Sequence, residues 1–117
     1  MNDDGRERRA RERALQVAVG ERMRWARELV QPNLSRFARL IGYPVPKVSK
    51  VETGAQPIDA LLIREYANRL RVTTDYILFG RIQSATMDFE MAWRLLEAHP
   101  QLRDLQNTGS SHPGTAH

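Results

Sequence analysis

The chain has 117 residues, 41% of them hydrophobic, with 18 Lys and Arg against 14 Asp and Glu, a formal charge of +4 and no cysteine. Such a length holds one domain plus extensions, and the absence of cysteine excludes disulfides and thiolate metal sites, as suits a reducing cytoplasm. No apolar run approaches the ~18 residues of a membrane span, and the amino terminus, MNDDGRERRARER, lacks the apolar core of a secretory signal. The basic surplus points to a polyanionic partner, and it is concentrated. Residues 31–54 carry Arg36, Arg39, Lys47 and Lys50 against Glu52 alone, whereas 84–117 carry Asp88, Glu90, Glu97 and Asp104 against Arg94 and Arg103.

Residues 1–13 form a polar, basic extension in which Arg6, Arg8, Arg9, Arg11 and Arg13 interleave with Glu7 and Glu12. Two readings stay open: a frayed, solvated continuation of the next helix, or an arm lying along a nucleic-acid backbone. A first helix is predicted over 14–30, with Leu15, Val19, Met23, Ala26 and Val30 at the helical period and Gln31-Pro32 ending it. Trp25 falls outside that stripe and is a candidate interface residue. Asn33 is suited to cap a second helix, 34–41, whose apolar stripe is Phe37, Ala38 and Ile41. Gly42-Tyr43-Pro44 makes a tight turn, because Gly supplies positive φ and Pro cannot continue the preceding helix. In the third helix, 44–53, Val48 and Val51 face inward, Lys47 and Lys50 face solvent, and Gly54 ends it.

After a loop, Asp59 caps a fourth helix with Ile63, Tyr66, Ala67 and Leu70 buried, and Thr73 caps a short fifth one, 74–79, closed by Gly80. A sixth is predicted over 86–98, with Phe89, Ala92, Trp93 and Leu96 on one stripe and Met87, Met91 and Leu95 beside it. That apolar arc either folds back on the domain or is buried against a second copy. In the second case the dimer interface is Met87, Phe89, Met91, Trp93, Leu95 and Leu96, with Trp25. Pro100 breaks this helix, and 107–117 should be disordered for want of anything to bury. The chain thus divides into an extension 1–13, a domain 14–83, a helical region 84–106 and a tail 107–117.

The string Ala38-x-x-Ile41-Gly42, then Val48-Ser49-Lys50-Val51-Glu52-x-Gly54, resembles the phage repressor/Cro-type helix-turn-helix family, often called XRE. Leu70-x-Val72-Thr73-x-Asp75-Tyr76-Ile77-Leu78-Phe79-Gly80 resembles the end of the same domain. The resemblance covers about half of the chain, 19–80. It implies an all-α fold, a five-helix repressor-like domain, with the basic amino-terminal extension and the sixth helix added. It also implies sequence-specific binding of double-stranded DNA, with the third helix in the major groove. The family's base-contacting positions fall on Val45, Pro46 and Lys50, with Lys47 at the DNA surface. Asn33, Ser35, Arg36, Arg39 and Thr53 complete the DNA-facing set. Val45 and Pro46 offer only van der Waals contact, best with a thymine methyl, while Lys50 can donate to guanine. Leu34 stands where the family often has a phosphate-binding glutamine, and Arg71 where it usually has glycine. Arg27 matches the family's helix-one arginine that pairs with the glutamate represented by Glu52.

No enzyme is visible. The chain has no P-loop, no Rossmann glycine fingerprint and no nucleophile elbow, and His99, His112 and His117 are not at metal-ligand spacing. No cofactor or metal is expected. The expected function is a cytoplasmic, nucleoid-associated transcriptional regulator acting as a homodimer, most simply a repressor. The alternatives are the antitoxin of a toxin–antitoxin pair, gripping a toxin with the sixth helix, and a protein-interaction module that has given up DNA.

Overall fold

The computed structural model describes residues 2–82 and 86–110, with side chains over 4–82 and 86–106. Among the described residues the chain is all helical: α1 (Asn2–Val30), α2 (Leu34–Ile41), α3 (Val45–Thr53), α4 (Ala60–Leu70), α5 (Thr74–Phe79), α6 (Phe89–Ala98) and α7 (Leu102–Ser110). None of these helices is long and apolar enough to cross a membrane.

The first helix begins at Asn2 and not near residue 14, so the arginine-rich extension is a continuation of α1. Its residues favour this: Arg, Glu and Ala are strong helix formers, and Asp4 and Glu7 each stand four residues before an arginine, a supportive spacing. Farther along, Val19, Met23 and Ala26 are buried, but Leu15 and Val30 are 60% and 48% exposed, so the stripe that meets the core is shorter than the sequence pattern.

Local chemistry sets most boundaries. Asn33 Oδ1 accepts from the Arg36 N–H (2.9 Å), Asp59 Oδ1 from those of Leu61 and Leu62 (2.9 and 3.2 Å), Thr73 Oγ1 from Tyr76 (3.0 Å), and Asp88 Oδ2 from Met91 (3.0 Å). Each satisfies a donor that a helix start leaves open. The Asp88 cap starts α6 at Phe89, three residues after the predicted position. Arg71 ends α4 in the left-handed region, φ 58°, where the resemblance led one to expect glycine.

One apolar core runs through all seven helices. It includes Met23 on α1, Phe37 on α2, Val48 and Val51 on α3, Leu62 and Tyr66 on α4, Tyr76 and Ile77 on α5, Met91 and Leu95 on α6, and Leu102 on α7. Leu62 joins the stripe predicted for α4, and Ala67 is only half-buried. Residues 107–110, expected to be disordered, are the end of α7; 111–117 lie outside the described residues. Helix α7 begins ahead of that tail, at Leu102, and its first half has something to bury. Leu102 is fully enclosed, and Gln106 Nε2 donates to the carbonyls of Gly80 (2.6 Å) and Leu102 (2.8 Å) while its Oε1 accepts from the Ile82 N–H (2.7 Å).

Candidate nucleic-acid interface

The unit α2–turn–α3 is held from its inner side and open on its outer one. Phe37, Ala38 and Ile41 bury the inner face of α2. Gly42 then ends that helix at φ 76°, and the N–H groups of Gly42 and Tyr43 close on the carbonyls of Arg39 (3.2 Å) and Ala38 (3.0 Å). A Cβ at Gly42 would meet nothing, so its backbone angle alone selects glycine there. Pro44 occupies the cap of α3, with no side-chain hydrogen bond to the helix, and Pro46 sits in its first turn, where a missing N–H costs nothing. Val48 and Val51 are fully buried, whereas Pro46, Lys50 and Thr53 are exposed and Val45, Lys47 and Ser49 are half-buried.

A buried ionic cluster fixes the far end of α3. Arg27 Nε and an η-nitrogen grip the two carboxylate oxygens of Glu52 at 2.8 and 3.0 Å, and the other η-nitrogen donates to the carbonyls of Gln31 and Pro32, both at 3.0 Å. The Tyr66 hydroxyl donates to the same carboxylate, and the Tyr66 ring meets Phe37 edge-on at 5.0 Å. Arg27 and Glu52 are 4% and 5% exposed, so the pair is buried. Burial opposes the Arg27 charge, but the Glu52 hydrogen bonds and charge outweigh it and hold the guanidinium above its ordinary pKa. Burial, and then the Glu52 carboxylate, push the Tyr66 hydroxyl well above the usual range. One knot thus ties α1, α3 and α4. Beside it, α1 approaches so closely that a Cβ on Gly20 would lie 2.3 Å from the Val51 carbonyl oxygen, and only glycine fits.

The predicted DNA-facing residues do not all remain available. Arg36, Arg39 and Lys50 are exposed, and no ion pair among the described residues engages them. Lys47 differs from the expectation of a solvent-facing cation: its Nζ lies 2.8 Å from Asp59 Oδ2, so the capping carboxylate of α4 neutralises it. The Lys47 hydrogen bond is the main cause holding the Asp59 carboxyl below its ordinary pKa. The Asn33 side-chain oxygen is committed to its cap, which leaves its amide NH₂ as the donor for a ligand. Ser35 is exposed, and the Thr53 hydroxyl donates back to the Lys50 carbonyl at 3.3 Å. Leu34, where the resemblance led one to expect glutamine, is half-buried against the core.

The residues assigned to a dimer interface divide. Met87, Met91 and Leu95 are 8%, 1% and 0% exposed, taken up by the chain's own core, which corrects their assignment to a partner. Trp25 stacks on His99, ring centroids 4.1 Å apart, and so is covered from within. Phe89 and Trp93 remain 83% and 56% exposed, and Leu96 is half-buried. The periodicity of α6 could not show which side of its wide arc would meet α1. Two further contacts settle that side: Arg94 donates to the Leu29 carbonyl (2.6 Å), and His99 lies over Trp25, where burial lowers its pKa against the pull of Glu28 and Glu21.

Arg22 holds a place that the sequence does not signal. This residue is 8% exposed, donates to the carbonyls of Ile77 (2.9 Å) and Leu78 (2.8 Å), and gives its own carbonyl to the Tyr76 hydroxyl (2.7 Å). An arginine in a helix of many arginines gives no signal of such a role. Gly20 did give one, since a glycine within a helical pattern often marks a close approach. Comparison with protein families, with curated proteins and with solved structures finds no match, so the family resemblance stands on the residues and spacings of this chain.

Proposed function

We propose that α1–α5 form a repressor-like helix-turn-helix domain and that the protein is a sequence-specific DNA-binding transcriptional regulator, reading the major groove with the first turns of α3. The observation that supports this most is the cation set Arg36, Arg39 and Lys50, exposed and without ion pairs among the described residues, on the open side of a helix pair whose inner side is locked. A reading helix must arrive with its base-contacting turn rigid and its cations free. Lys50 supplies the specific donor, Val45 and Pro46 supply shape and apolar contact, and Arg36 and Arg39 supply phosphate contacts. Three base-reading side chains are few for one copy, so two copies share an inverted repeat with half-sites about 34 Å apart.

The test is a binding titration on duplexes from upstream of the protein's own gene. Lys50→Ala should cost about 1–3 kcal/mol at its cognate base pair and relax discrimination there, whereas Arg36→Ala should weaken cognate and random duplexes alike. A chain with no salt-dependent affinity for its own promoter contradicts the reading. A second reading then takes its place, a protein-binding module or antitoxin. Exposed Phe89 and Trp93 on α6 and the neutralised Lys47 on α3 favour it.

A further inference from the structure

The proposed function uses α2 and α3 and leaves the amino-terminal arginines of α1 without a role. Arg6, Arg13, Gly20 and Arg27 follow one another at seven-residue steps, and seven residues are two helical turns less about 20°, so all four lie on one face. Gly20 and Arg27 show what that face meets: the Val51 carbonyl and the Glu52 carboxylate at the end of α3. Arg9 and Gln16 accompany them, also seven apart, and Gln16 Nε2 donates to the Gly54 carbonyl at 2.9 Å. The face then runs on past the carboxyl end of α3 as exposed Arg13, Arg9 and Arg6, none of them in an ion pair among the described residues. At 100° per residue Asp4, Glu7, Arg8 and Arg11 fall on the far side, and Glu12 alone reaches the edge. Between overhang and loop lies an open cleft of about 300 Å³ lined by Arg9, Glu12, Arg13, Gln16, Gly54 and Ala55.

We propose that this overhang is a rigid arm that grips the phosphate backbone flanking the groove occupied by α3, through Arg6, Arg9 and Arg13. The inference rests on the DNA-binding reading above. At 1.5 Å per residue Arg6 and Arg13 are about 10.5 Å apart along the helix, a span equal to about three base-pair steps at 3.4 Å of duplex axis per phosphate of one strand. Because the arm and the segment packed on α3 are one helix, its reach relative to the reading helix is fixed before DNA arrives, and little chain must be ordered on binding. The contact carries no base readout, so it adds affinity to every sequence alike.

The experiment compares two double variants of the full chain that remove equal charge from one helix: Arg9→Gln with Arg13→Gln, and Arg8→Gln with Arg11→Gln. Gln keeps the helix propensity, and equal circular dichroism at 222 nm checks that the helix persists in both. Affinity is read across salt concentrations on a promoter duplex and a random one. The Arg9/Arg13 pair should flatten the slope of log affinity against log salt by about 1.8 per copy, equally on both duplexes. The Arg8/Arg11 pair should change it by less than about a third of that. An equal or larger change from Arg8/Arg11, or none from Arg9/Arg13, overturns the arm while wild-type binding leaves the DNA-binding reading standing. A wild-type chain that binds neither duplex overturns both.

Discussion

The first five helices and the last two are attached to the same core by different means. The end of α3 is joined to α1 and α4 through one buried, multiply bonded knot, Arg27–Glu52–Tyr66, and through a backbone approach that admits no side chain at Gly20. Helices α6 and α7 bury Met91, Leu95 and Leu102 but are positioned by separate, single contacts: Arg94 on the Leu29 carbonyl, the His99 ring on Trp25, and Gln106 on Gly80 and Ile82. The first arrangement suits an element that must present a surface without moving. The second suits an appendage that completes the core. Local opening should therefore begin in α7 and leave α3 in place.

The largest effect is expected at the knot. Arg27→Ala strands the Glu52 carboxylate with only the Tyr66 hydroxyl beside it, and should cost about 3–5 kcal/mol in urea denaturation. Replacing the whole set, Arg27→Met with Glu52→Leu and Tyr66→Phe, should recover most of that loss, because no buried polar group is then left alone. A triple variant as unstable as the single one would show that the knot's net attraction, and not the stranded charge, sets the cost.

A smaller and more local effect is expected from Gln106→Ala. The substitution leaves the Gly80 carbonyl and Ile82 N–H without that partner, and should ease opening of α7 by about 1–3 kcal/mol. Amide exchange should speed up at Ile82 and through α7 while the amides of Val48 and Val51 keep their protection. Uniform loss of protection would mean that the two regions open as one unit. The smallest effect has the opposite sign. Arg71 holds φ 58°, and its ion pair with Asp88 is 3.6 Å long on a side chain 63% exposed. Arg71→Gly should relieve about 1 kcal/mol of backbone strain against an exposed pair worth less than that, and raise the melting temperature. A lower melting temperature would make that pair an essential tie of α6.

Caps and breaks were legible because their chemistry is local. Asn33, Asp59 and Thr73 each bond a backbone N–H two or three residues on, and Gly42, Gly54 and Gly80 all take the left-handed backbone with which helices end. The pairing of Arg27 with Glu52 came from the resemblance, since no spacing connects residues 25 apart in sequence. What stayed hidden are partnerships formed only in three dimensions. Lys47 reads as a free cation until α4 brings Asp59 to it. Gln106 reads as one polar residue at the end of the helical region until Gly80 is seen beneath it. The wide apolar arc of α6 fits a second copy or its own core equally well by periodicity, and burial of Met91 and Leu95 assigns that side to the core.

The claim on which the rest depends is that α3 presents its first turns to DNA. Titrating isotope-labelled full-length protein with a promoter duplex, and following backbone amide resonances, tests it residue by residue. The account predicts salt-sensitive shifts centred on residues 34–36 and 45–50, with α6 and α7 nearly unchanged. Shifts centred on α6 around Phe89 and Trp93, or none at all, would contradict it.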